Sequence, residues 1–550
     1  MATVISTVKR FSTNPSVQAA VACLIIFTSL AVYAPVLNSY FVADDFGYVG
    51  LYVRQHLADV PGLFAADWSQ GIWGFNLGEL RPVVALSLMW DARLWGSDPL
   101  GYHLTNLLVH GASSALCFFT SRRLVGADLT TSTLAAVLFA VHPAHVEAVS
   151  WVSARTELIS AFFYLSGFLT FGLYRSGRKT WCYSLSLVLF ILGLFSKEMV
   201  VSLPLMLVAY DVVFHHRAGA GRRIKWWLPH AGFFTVLLLY LCLRKLIFGS
   251  PLRGGNIADF VFRQGEYLSY LFPPLDMFVG SVRSRWVLLL WAAILSALGM
   301  LLLFGRRARG WAWEILAGAG RPVLFFGVVW YLISIIPLVS TYRSARHLYI
   351  PSFGLCVAVG VLLPRALSKR RVMIMTFAML IAVCGAETAY YAVRWRQAAQ
   401  LSQEMRDDLQ RLVRDVPEGS GLILVNTPGF YQGRYVWAWA TPFVLRPPFS
   451  DTDIYSRFRV LEAPGSYCCS WARDKPSAVS GFIDRPVDSY LIYLDRAQHL
   501  TKTYLPKEQV RNLLGGTVIP ERGADTQTKA FKNAESLVEN WEALWRPYLK

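Results

Sequence analysis

Two aspartates, Asp44 and Asp45, stand side by side in FVADDFGY, where a long apolar run gives way to a polar stretch. A carboxylate in that place can take the proton of an incoming hydroxyl, which is general base catalysis, and one base suffices for an inverting displacement. The plainer reading is a solvated pair at a membrane edge, or a helix cap. A denser group follows in HPAHVEAVSWVSARTE, which carries His142, His145, Glu147, Arg155 and Glu157. FSKEM places Lys197 and Glu198 between two apolar runs, and STYRSARHLYIPS adds Arg343, Arg346 and His347. Guanidinium and ammonium groups of this kind suit an anion such as a phosphate, and Glu198 can pair with Lys197 or with an arginine. Arg81, followed by Pro82, and His103 in GYHLTN are further polar groups, each of which alone reads as structural.

The elements that must position these residues are membrane spans. Of the 550 residues 55% are apolar and 16% charged, and the apolar residues form runs long enough to cross a bilayer from residue 17 to residue 392. The first run, 17–36, has no small-residue cleavage site after it and reads as a retained span. Further spans are expected at 101–121, 130–147, 152–174, 180–196, 199–214, 226–247, 286–304, 322–340, 347–364 and 372–392. The amphipathic stretch 260–279, interrupted by Pro273 and Pro274, is too polar for a span and reads as interfacial or re-entrant.

The net charge of +18 does not point to nucleic acid, because the basic residues sit in short segments between the apolar runs: Lys9 and Arg10; Arg122 and Arg123; Arg175, Arg178 and Lys179; Arg217, Arg222, Arg223 and Lys225; Arg306, Arg307 and Arg309; and Arg365, Lys369, Arg370 and Arg371. This is the positive-inside pattern. The loop of about residues 37–100 is acidic instead and is expected to face outward, as are the polar motifs. Charges at membrane depth cost about 2.5 to 3.5 kcal/mol each, so their grouping at one face calls for a polar cavity or for ion pairs. Arg244 and Lys245 also break the basic pattern and read equally as anion ligands or as snorkelling anchors.

The fold class is therefore an α-helical multi-pass membrane protein of about eleven spans over 1–393, with a small α/β domain at 394–550. GLILVNTPG (421–429) and DSYLIYLD (488–495) read as strands, and Lys529 to Leu544 has helical spacing. Cys468 and Cys469 lack metal-type spacing to another pair. Pro143 interrupts any helical presentation of His142, His145 and Glu147, so no tight metal site is expected. A weakly held divalent cation, Mg or Mn, beside a phosphate stays open.

Five stretches in order, ADD (43–45), RPVVALSLMWDARLWGSDPLGYHLTNLLVHG (81–111), HPAHVEAVSWVSARTE (142–157), SKE (196–198) and RHLYIPSFG (346–354), resemble the transmembrane and tetratricopeptide-repeat O-mannosyltransferases and their bacterial relatives, within the GT-C superfamily of membrane glycosyltransferases. The resemblance implies a polyprenyl phosphate-linked sugar donor, a hydroxyl acceptor and a catalytic aspartate in the first outer loop, here Asp44 or Asp45, with Asp44 preferred. Arg155, Lys197, Arg343 and Arg346 are then the expected ligands of the donor phosphate. Arg81, His103, His142, His145, Glu147, Glu157, Glu198 and His347 are expected to contact substrate or to form the supporting network. The family's 34-residue repeats have no counterpart in 394–550, a departure that bears on the acceptor.

The expected site is the extracytoplasmic face of a bacterial cytoplasmic membrane, with the N-terminus inside and the C-terminal domain outside. A transporter or flippase of lipid-linked sugars is the competing class, but two matched halves with broken helices are missing from the pattern. A non-catalytic assembly protein or scaffold would not require the acids, histidines and arginines to gather at one face.

Overall fold

The computed structural model describes residues 14–272, 296 and 320–515, apart from 125, 178, 216–222, 253, 368, 426, 463–481, 483 and 496. The expected span at 286–304, the Pro273–Pro274 break, the cysteine pair and the closing helix lie outside the described residues. The chain packs as two units, one of residues 1–37, 56–91 and 101–392, the other of 38–55, 92–100 and 393–550.

The first unit is a helical bundle. Its helices are Pro15–Tyr33, Pro99–Arg123 from residue 101 on, Leu129–Ala140, Arg155–Gly177, Thr180–Leu194, Leu203–His215, Arg223–Phe248, Gly320–Ile335, Tyr349–Ala366 and, as far as residue 392, Arg370–Leu412, the places where the apolar runs put them. Six helical stretches are long and apolar enough to cross a membrane, or seven if the pair Leu129–Ala140 and Pro143–Ser150, bent by 46°, is one span. The other described runs make helices too short or too polar to reach that measure by themselves, so the described helices agree in position with the expected spans while the count of eleven is not reached among the described residues. The stretch read as interfacial is a helix, Ile257–Leu271, which turns Gly265, Glu266, Tyr267 and Ser269 inward and leaves Ile257, Val261 and Phe262 exposed.

Two helices approach closely where side chains vanish. A Cβ on Gly354 would come within 2.8 Å of the Gly327 carbonyl oxygen, so Gly320–Ile335 and Tyr349–Ala366 pack backbone to backbone there, as small residues permit in membranes. At the other end of the bundle Asp211 joins Arg175 Nε at 2.9 Å and His230 Nε2 at 3.0 Å, tying three helices.

The polar motifs fall where helices stop. Short 3₁₀ turns occupy Pro143–His145, Val152–Ala154, Glu198–Ser202 and Ala345–Leu348, with Lys197 and Ser344 extended just before two of them. Proline at the start of the first and local 3₁₀ winding allow these side chains to turn toward one another rather than follow a helical face.

The second unit holds a four-stranded sheet in the order β4-β1-β5-β6: β1 (Gly421–Val425), β4 (Arg459–Glu462), β5 (Ser489–Leu494) and β6 (Leu500–Leu505). β1 runs parallel to β4 and β5, in register Gly421 to Ser489, and β5 is antiparallel to β6. All five residues of β1 are buried, as befits a central strand of a parallel sheet, and both strands expected from the sequence are present. A hairpin of β2 (Phe430–Tyr431) and β3 (Arg434–Tyr435) turns through Gln432 and Gly433, both at positive φ, the conformation a two-residue hairpin loop requires.

Candidate functional site

In the first unit, three of the sequence motifs converge on one buried network. Glu157, at the head of Arg155–Gly177, accepts from Lys197 Nζ and lies 2.8 Å from His347 Nδ1, with Arg346 Nε 3.9 Å away. Arg346 in turn donates from Nη1 to Glu147 Oε1 at 2.8 Å, and Ser344 Oγ donates to the other oxygen of that carboxylate at 2.8 Å. The Arg346 guanidinium lies 4.6 Å from the centre of the Trp151 ring and 5.3 Å from that of Tyr342, whose hydroxyl it also meets. The whole network is largely buried: the side chains of Glu157 and Lys197 keep 1% and 6% of their surface, those of Arg346 and Glu147 10% and 17%.

The chain neighbour of Lys197 opens a second group. Glu198 is held by Arg81 Nη2 at 3.0 Å and by Arg244 Nη1 at 3.2 Å, and Arg81 also reaches Glu79 at 2.8 Å. Burial alone would raise the pKa of the Glu198 carboxyl, but Arg81 and Arg244 outweigh it and hold the group at about 2. Burial pulls the Lys197 pKa below its ordinary value, with Arg81 and Arg346 adding to the shift and Glu157 opposing it. Arg244 is buried and also donates to the Gly78 and Pro251 carbonyls, at 2.8 and 2.9 Å. It is thus part of the network rather than a snorkelling anchor.

The remaining expected residues are placed differently. Arg155 is buried and committed to Asp91 at 2.6 Å and to the Tyr102 carbonyl at 3.0 Å. Arg343 pairs with Glu266 at 2.5 Å, with half of its side chain exposed. His142 lies 3.2 Å from the Leu271 carbonyl, and His145 2.8 Å from Ser352 Oγ. His103 is buried on Pro99–Arg123, the helix that also carries His110, whose Nδ1 is 2.6 Å from the Tyr349 hydroxyl. Among the described residues no three His, Cys, Asp or Glu side chains group as metal ligands.

The aspartate pair belongs to the second unit. Asp44 begins the helix Asp44–Tyr52 and receives the indole N–H of Trp439, while Asp45 is buried and accepts from the Val42 N–H at 3.2 Å. Ala43, just before them, is held at φ 45° with its N–H on the Val436 carbonyl at 2.7 Å.

Against curated proteins, the chain is 32% identical over 195 residues to protein O-mannosyl-transferase Tmtc1 of Drosophila melanogaster, covering 34% of this chain and 22% of that protein. It is similar to the protein O-mannosyltransferases. Human TMTC2 is 32% identical over 183 residues, covering 32% of this chain and 21% of its own length, and mouse TMTC3 is 36% identical over 105 residues, or 18% and 11%. The chain spans about a fifth of the length of the first two relatives. Among solved structures, ArnT from Cupriavidus metallidurans bound to undecaprenyl phosphate aligns at 12% identity over 86% of this chain and 92% of its own, with a TM-score of 0.45. The archaeal oligosaccharyltransferase AglB from Archaeoglobus fulgidus, in complex with an inhibitory peptide and a dolichol-phosphate, aligns at 13% identity over 74% and 62%, with a TM-score of 0.40. No family model matches the chain.

Sequence reasoning missed several participants. Glu79, Asp91 and Glu266 were legible only as acids of an outer loop and an amphipathic helix, and Trp439, Trp151 and Tyr342 carried no signal at all. Arg244 did carry one, since a basic residue at the outer end of a span needs an anionic partner.

Proposed function

We propose that the protein is a membrane glycosyltransferase that takes a sugar from a polyprenyl phosphate-linked donor and passes it, with inversion, to a hydroxyl acceptor at the extracytoplasmic face. The observation that carries this reading is the Arg346 network: residues from three separated motifs gather arginine, lysine and carboxylates at the ends of membrane helices. Similarity to the O-mannosyltransferases points the same way.

In this reading the donor phosphate is held by Arg346 and, deeper, by Lys197, with Glu147, Glu157 and His347 orienting them. Arg155 is assigned to structure, because Asp91 already neutralises it. Arg81, Glu198 and Arg244 brace the segment that carries Lys197. The acceptor oxygen attacks the anomeric carbon as the bond from that carbon to the phosphate oxygen breaks, and the electron pair leaves with the phosphate. Asp44 takes the hydroxyl proton, and Asp45 fixes the turn that presents it. Stabilising the charge that builds on the leaving phosphate is the larger electrostatic task, which suits fixed cations in a dry setting. A divalent cation, Mg or Mn, would share that task if bound. The compartment we assign is a bacterial cytoplasmic membrane, N-terminus inside.

The test is transfer by the purified full chain in lipid, using a panel of radiolabelled polyprenyl phosphate sugars with a membrane extract as acceptor, wild type against Asp44→Asn. Transfer that the substitution abolishes supports the reading. Wild-type protein that moves no sugar from any donor, yet carries lipid-linked sugar across a bilayer, would make it a transporter instead. Reporter fusions after Arg178 and Lys550 check orientation, the first expected inside and the second outside.

A further inference from the structure

Asp44 is approached, within its own unit, by a row of aromatic rings. The hairpin places Phe430 against Tyr435 with centroids 5.0 Å apart, Tyr435 lies 5.5 Å from Trp439, and the Trp439 indole N–H donates to Asp44 Oδ1. Phe430 is 43% exposed, and Tyr435 and Trp439 are half-buried. Below them Trp395 is buried, 6.3 Å from Tyr435. The rings thus form a supported ridge that is open on one side and ends at a carboxylate.

The backbone marks the same spot. Ala43 and Ala438, the residues immediately before Asp44 and Trp439, have φ of 45° and 46°, a region that residues with a Cβ avoid. Ala43 is tied to Val436 by its N–H. Two strained alanines on either side of one side-chain contact mean that the surrounding fold insists on that contact, and such strain gathers at functional sites.

Phe430 and Tyr435 are tilted by 41° and Tyr435 meets Trp439 edge to face at 68°, so the more open Phe430 and Tyr435 rings offer apolar contact to a flat, weakly polar surface and no pattern of backbone donors or acceptors for an extended peptide. Sugar rings present such surfaces through their C–H bonds, while their hydroxyls seek carboxylates and indole N–H groups. We infer that the acceptor is a glycan, whose terminal sugar packs against Phe430 and Tyr435 and whose accepting hydroxyl is held against Asp44. This inference rests on the reading of Asp44 as the base.

The full chain in fluorescent lipid nanodiscs, applied to a glycan array and to an array of serine- and threonine-rich peptides, tests it. The expected result is retention by glycans sharing a terminal sugar, weakened about tenfold in Tyr435→Ala and Phe430→Ala and kept in Tyr435→Phe, where the ring remains. Retention by peptides alone, by no glycan, or by glycans equally in all variants would overturn the inference. Binding of a radiolabelled polyprenyl monophosphate is measured on the same preparations. If it binds and no glycan does, the acceptor assignment fails alone; if neither binds, the reading of function falls with it.

Discussion

Arg346 and Glu147, 199 residues apart in the chain, share a 2.8 Å contact in a network whose side chains are largely buried. An incoming phosphate and Glu147 compete for the same guanidinium. Arg346→Ala should weaken binding of a polyprenyl monophosphate by roughly 10- to 100-fold, as expected for a charge-assisted hydrogen bond of about 1.5 to 3 kcal/mol. Glu147→Gln should act in the opposite direction and tighten it. Equilibrium binding in nanodiscs reads both, and thermal unfolding of each variant checks that it folds.

Asp44→Asn should lower transfer by about 10² to 10⁴-fold, the range of a general base, while leaving polyprenyl phosphate binding unchanged. Trp439→Phe keeps the ring but removes the indole N–H, so its loss should fall on turnover through a less fixed carboxylate. Asp45→Ala should cost about 1 kcal/mol of stability, by losing the acceptor of the Val42 N–H. Single-turnover rates and unfolding midpoints separate these three outcomes.

The Asp91 and Arg155 pair is buried, so removing one partner strands the other. Asp91→Asn should destabilise the protein by about 3 to 5 kcal/mol, and replacing the pair by Leu and Met should recover much of that loss. If Arg155 binds the phosphate directly, the double variant will instead be stable and unable to bind polyprenyl phosphate. Unfolding and binding on the same preparation decide.

Glu198 gives a pH dependence of defined sign. Its carboxyl is held at about 2 against an ordinary value of 4.5, so its contribution to stability is present above pH 4.5 and lost as pH falls toward 2. A depression of this size corresponds to on the order of 3 kcal/mol. Glu198→Gln should therefore be less stable at neutral pH and should flatten the acid limb of the stability curve in that window. Chemical denaturation in lipid at several pH values measures it.

The spans were legible because a bilayer imposes one length and one composition, and the positions of Pro15–Tyr33, Arg155–Gly177 and Tyr349–Ala366 follow from their apolar runs. The β1 and β5 strands were legible from short apolar runs between turn residues. The grouping of Glu147, Arg346, Glu157 and Lys197 was legible only as a shared face. Which carboxylate takes which cation depends on 3₁₀ turns at the helix ends, whose local geometry no hydrophobic period encodes. Arg155 shows the limit: its type and motif suited a phosphate, and its partner Asp91 lay in a loop whose acids are indistinguishable in sequence.

The alanines at 43 and 438 carry a consequence for anyone engineering this chain. Glycine at either position would release torsional strain of roughly 1 to 3 kcal/mol and would pass any screen for heat resistance. It would also unclamp the joint behind Asp44 or Trp439. The backbone there is held by residues that resist their own geometry, and a variant selected for durability alone would be drawn toward slackening it.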